Sequence, residues 1–167
     1  MVRDRVEQVR SRLSASYGIV AGYGLGVAGD LLEIGGKVDA SRAGEAVRQI
    51  EADLDGLRTG DAAFAADFVR ARRTVLVRAL GDPVRTSAAA DRLEAVVTNR
   101  LPIGAAETLP AEIASTTVDD TRAVIAQDLQ ATRMVLMLSG RQEDVAAAVA
   151  AAGVTRFETV REQPAAR

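Results

Sequence analysis

Apolar residues recur every three or four positions along most of this chain and switch to alternation between residues 18 and 38. That change of period restricts the fold to helices arranged around at least one hairpin. Residues 2–14 read as a helix, with Val2, Val6, Val9 and Leu13 forming its apolar stripe. Residues 18–25 read as a strand with Ile19, Ala21, Tyr23 and Leu25 on one face. In residues 31–38, Leu32, Ile34 and Val38 alternate with Glu33 and Lys37. Gly24, Gly26 and Gly29 lie in or beside the connection, so a hairpin is the simplest pairing.

Helices dominate the chain from residue 39 onward. Asp39 or Ser41 can cap a helix reaching Arg58, with Ala43, Val47, Ile50, Leu54 and Leu57 as its buried stripe. Thr59 and Gly60 stop it. A second helix is expected over 61–80, burying Phe64, Phe68, Ala71, Val75 and Ala79, and Gly81-Asp82-Pro83 breaks it. A third, Thr86 to Thr98, would bury Ala89, Leu93 and Val96 or Val97. Leu101–Gly104 and Thr108–Pro110 mark a loop and a short helix. Thr117 caps a helix carrying Asp119 and Asp120 in its first turn and Val124, Ile125 and Leu129 beyond. The apolar run 133–138 suits a central strand buried on both faces. Ser139 and Gly140 then turn into an alanine-rich helix, 142–152, closed by Gly153. Residues 155–160 are expected to form a last strand. The fold class is α+β, with a mixed or antiparallel sheet and helices packed on one face. Residues 1–162 read as one domain and 163–167 as a disordered tail.

At 167 residues the chain can bury roughly 70% of its unfolded surface. Aromatic residues make up only 3%, so the core must be built from Ala, Val, Leu and Ile. The net charge of −2 gives no electrostatic case for nucleic acid or an acidic membrane. All but one of the basic residues are arginines, Lys37 being the exception. This reads as codon bias before it reads as phosphate binding. There is no cysteine and no histidine. Disulfides, thiolate chemistry, histidine-activated serines and ordinary zinc sites are thereby excluded. No apolar run approaches a bilayer span, and the charged opening lacks the apolar centre of a signal peptide. A soluble protein of cytoplasm or periplasm is expected, the compartment being left open.

Gly24-Leu25-Gly26-Val27-Ala28-Gly29 has the letters of the dinucleotide fingerprint. That fingerprint needs a helix after its glycines, whereas residues 31–38 alternate like a strand. The acidic pairs Asp119-Asp120 and Glu143-Asp144 sit in first turns, where capping and the helix dipole explain them. Arg70, Arg72 and Arg73 read as a solvated face or ion-pair network. Arg10 and Tyr17 stand apart. An arginine near a helix end, seven residues before a strand-opening tyrosine, can bring a guanidinium and a phenol to one end of a sheet. Both could donate to a carbonyl there. The plain alternative is a surface arginine and a packed aromatic.

The order of these elements resembles the later part of the C-terminal domain in the insulinase, pitrilysin and mitochondrial processing peptidase family, from about Arg5 to Gly153. The stretch Val9–Gly18 is similar to the family's arginine-to-tyrosine motif, with Arg10 and Tyr17 on the two marked positions. The hairpin Ile19–Val38, the pair Ala71-Arg72 and the run Ile113–Asp120 come in the family's order, as does the apolar strand closed by Ser139-Gly140. Ser14 departs from a frequent glycine. The resemblance implies a substrate-enclosing piece of a zinc metallopeptidase, with Arg10 and Tyr17 reaching the peptide backbone near the scissile bond. It implies no cofactor in this chain, because zinc belongs to a separate N-terminal domain or subunit bearing His-x-x-Glu-His. The partners it implies are that domain and a peptide substrate. The alternative is a non-catalytic homologue that binds peptides or scaffolds a complex. The family's domain opens with elements absent before Met1, so a partial domain with uncovered sheet edges is expected to self-associate.

The purified chain should therefore be metal-free and inert. Elemental analysis after dialysis should find no stoichiometric zinc, and unstructured peptides should survive incubation with the chain alone.

Overall fold

The computed structural model describes residues 1–13, 16–24, 31–81, 90, 94, 96–98, 100–102 and 104–160, without the side chains of Arg10, Ser16, Tyr17, Ala106 and Ala131. It is an α+β chain. Helix α1 (Val2–Leu13) leads into strands β1 (Ser16–Gly24) and β2 (Leu31–Val38). A 3-10 turn, Ala40–Arg42, precedes α2 (Ala43–Thr59) and α3 (Phe64–Leu80). Helices α4 (Ala105–Ser115), α5 (Val118–Asp128) and α6 (Gln142–Ala152) come next, with a 3-10 turn at Ala131–Arg133. No helix among the described residues is long and apolar enough to cross a membrane.

The hairpin forms as its alternation requires. β1 and β2 pair antiparallel, with Ala21 opposite Ile34 and Tyr23 opposite Leu32. One face carries Ile19, Ala21, Ile34 and Val38, and α1 and α2 cover it with Val6, Val9, Leu13, Ala46 and Ile50. Val6 and Val9 are completely buried. Each such side chain contributes about 1.5–3 kcal/mol by leaving water. The opposite face stays open, with Val20 and Leu31 exposed. Leu57 near the end of α2 and Phe64 at the start of α3 are also fully buried.

Several expectations are corrected. The sheet among the described residues is antiparallel, one of the two arrangements expected, but is limited to two strands. The run 133–138 forms no central strand and is not buried: Arg133 closes a 3-10 turn, 134–138 are irregular with Met134–Met137 exposed, and no neighbouring strand among the described residues supplies a ladder. Residues 155–160 are irregular for the same reason. Neither Asp39 nor Ser41 caps α2; the interposed 3-10 turn delays its start to Ala43, and Arg42 occupies the cap position. α3 begins at Phe64 rather than Asp61: Asp61 stands in the preceding turn, its carboxylate accepting from the Ala63 N–H at 3.1 Å and its carbonyl from the Phe64 N–H at 3.0 Å. Its outer half is not covered, so Val75 is exposed. Val124 on α5 is exposed as well, while Ile125 and Leu129 are half-buried. α4 runs through Pro110, extending what reads as a loop and short helix into eleven residues. The helix expected over 86–98 falls largely outside the described residues. Within it, Val96 is buried and Val97 exposed. The tail 163–167 also lies outside.

Helix ends obey local chemistry closely. Thr117 and Asp120 make a reciprocal capping box at α5, the Thr117 hydroxyl accepting from the Asp120 N–H at 3.1 Å. The hydrogen bond from the Thr117 hydroxyl, and then that from its N–H, hold the Asp120 carboxyl below its ordinary pKa. Gly60 and Gly153 end α2 and α6 in left-handed conformation.

α6 docks on the start of α2 through a contact that only glycine permits. A Cβ on Gly44 would sit 2.5 Å from the Ala151 Cβ and 2.8 Å from the Ala148 carbonyl oxygen. Arg48 fixes the same junction by donating to the Ala151 carbonyl. Helix propensity alone would make Gly44→Ala stabilising by about 0.5–1 kcal/mol. The close approach reverses the sign, and the substitution should destabilise the protein by about 1–3 kcal/mol. Urea unfolding measures this, and adding Ala151→Gly should recover part of the loss.

Candidate functional site

Arg10 and Tyr17, the two candidate residues, lie on two elements held together by the main core. Arg10 comes directly after the buried Val9 near the C-terminal end of α1, and that helix packs along β1. Tyr17 lies near the start of β1, where the ladder is irregular. Ser16 opposes Val38 and Ile19 opposes Gly36, so three steps on β1 match two on β2. This is a bulge, a feature that bends a strand and re-aims the side chain it carries. Gly18 takes φ +127° inside it. Gly36 makes the bulge possible, because a Cβ there would collide with the Gly18 carbonyl oxygen and lie 2.8 Å from the Ile19 Cα. The two backbones therefore bring Arg10 and Tyr17 to the α1–β1 junction; their side chains are not among those described.

What fixes α1 at this position is Arg5, five residues before Arg10. The residue is only 5% exposed. Its Nη1 and Nη2 donate to the two carboxylate oxygens of Asp61, both at 2.8 Å. Its Nε donates to Asp67 Oδ2 at 2.6 Å, and Nη1 also reaches the Asp53 carbonyl at 3.3 Å. One guanidinium thus joins α1 to α2, to the α2–α3 turn and to α3. The hydrogen bonds to Asp61 raise the Arg5 pKa above its ordinary value; burial opposes this and the bond to Asp67 reinforces it. The same Arg5 bond holds the Asp61 carboxyl below its ordinary value, again against burial. Asp67 is itself buried and takes a second pairing from Arg70. Gly56 leaves room for all this, since a Cβ there would press on Asp61 Oδ2 and lie 2.9 Å from Arg5 Nη1.

The other arginine of the motif, Arg12, has a structural task. It donates to Asp53 Oδ1 at 3.3 Å and to Gln8 Oε1 at 2.9 Å. Gln49 shares Asp53 Oδ1, while Asp53 Oδ2 is buried with no partner among the described residues. Arg70 and Arg72 behave as an ion-pair and stacking group. Arg70 pairs with Asp67, and Arg72 lies over the Phe68 ring at 5.0 Å and donates to the Thr116 carbonyl. The acidic pairs are engaged at their helix starts, Asp119 with Arg122 and Asp144 with Arg141. No group of three acidic residues converges as a metal site among the described residues. The glycine-rich fingerprint lies mostly at 25–30, outside the described residues, but it is succeeded by β2 rather than by a helix.

Nothing local in the sequence announces the Arg5 cluster. Its acids are 56 and 62 positions from Arg5, and Asp61 carries the pattern of an ordinary helix start. The only nearby signal is Gly56, a glycine inside a strong helix beside a stop.

Breaking this cluster should loosen α1. Arg5→Met strands buried Asp67 beside one remaining partner, and should cost about 3–5 kcal/mol. Asp61→Asn should show the matching pH dependence. A carboxyl whose folded pKa lies below its unfolded value of about 3.9 contributes its stability above that pH and loses it as pH falls through the folded value. The parent's advantage over Asp61→Asn in urea unfolding should be full at neutral pH and should shrink on acidification below about pH 4. No family model, curated protein or solved structure matches this chain.

Proposed function

We propose that this chain is the C-terminal, substrate-enclosing piece of a zinc metallopeptidase of the insulinase, pitrilysin and mitochondrial processing peptidase family. The observation that carries the reading is the α1–β1 junction. The arginine helix lies along the hairpin strand, and the strand bulges where the tyrosine sits. The backbone thus carries, on adjoining elements, two residues able to donate to a carbonyl. A peptide carbonyl gains negative charge when its carbon is attacked. Pre-oriented donors near that oxygen, the Arg10 guanidinium and the Tyr17 hydroxyl, would stabilise the charge as it forms.

This chain's residues do not fit a zinc ion. It has no histidine or cysteine, and its described acids form no three-residue group. Metal and water activation belong, in this reading, to a partner domain or subunit. The role left to this chain is to enclose a peptide and to hold donors against its backbone.

The test is steady-state kinetics of the chain combined with a zinc-bearing domain encoded beside it, on one fluorogenic peptide. Tyr17→Phe keeps the ring and deletes the hydroxyl. It should lower kcat by about 100- to 1,000-fold and change KM little, with zinc content unchanged. Parent-like turnover would remove Tyr17 from the site. Absence of any zinc-bearing partner gene would favour a non-catalytic peptide-binding or scaffolding subunit.

A further inference from the structure

We draw no further inference here: the strongest candidate, the outward face of the β1–β2 hairpin on which Val20 and Leu31 stand exposed, carries none, because nothing in the structure shows what covers it.

Discussion

The position of the first helix depends on one buried guanidinium. Arg5 is nearly inaccessible, yet four hydrogen bonds satisfy it, two of them a bidentate grip on Asp61. A buried charge without such partners would cost more than the fold could return. With them, it acts as a rivet whose directional bonds reach α2, the α2–α3 turn and α3. Apolar contacts alone would hold α1 on the hairpin, but would let it slide or rotate. The bidentate geometry removes that freedom. The backbone position of Arg10, near the end of α1, is therefore set by a residue five positions earlier.

Close backbone approach is the second organising device. In a chain with few aromatic residues the core is built from small side chains, and elements must come near one another to exclude water. Gly36 lets the bulge of β1 settle onto β2, Gly44 lets α6 dock on α2, and Gly56 admits the Arg5–Asp61 pair. Arg72 over Phe68 and Arg122 over Phe64, at 5.0 and 5.2 Å, add cation–π contacts where aromatic rings are present. Arginine, abundant in this sequence, thus supplies structure more than surface charge. Arg5, Arg12, Arg48, Arg70 and Arg72 all bind their own protein.

The two unpaired stretches 134–139 and 155–160 show the opposite situation. Their composition favours strands, and the exposure of 134–137 already alternates as in a strand, but a ladder needs a neighbour. The described hairpin is joined to neither of them.

Local pattern by itself determined the helices α1, α2, α3, α5 and α6, the hairpin, the Thr117 cap and the glycine stops at Gly60 and Gly153. Each depends on residues within a few positions of one another, so periodicity and capping chemistry suffice. The buried stripe of α2 was legible for that reason, and so was the failure of the glycine fingerprint, because β2 alternates. Arg10 and Tyr17 could be singled out only through a resemblance in the order and spacing of the elements around them. The bulge beneath Tyr17 could not, because it depends on Gly36, which meets Gly18 only across the ladder. Tertiary structure alone decided the Arg5 cluster, since Asp61 and Asp67 lie far along the chain and each has an adequate local explanation. It also decided the fate of 133–138, because hydrophobicity requests burial without saying which surface provides it.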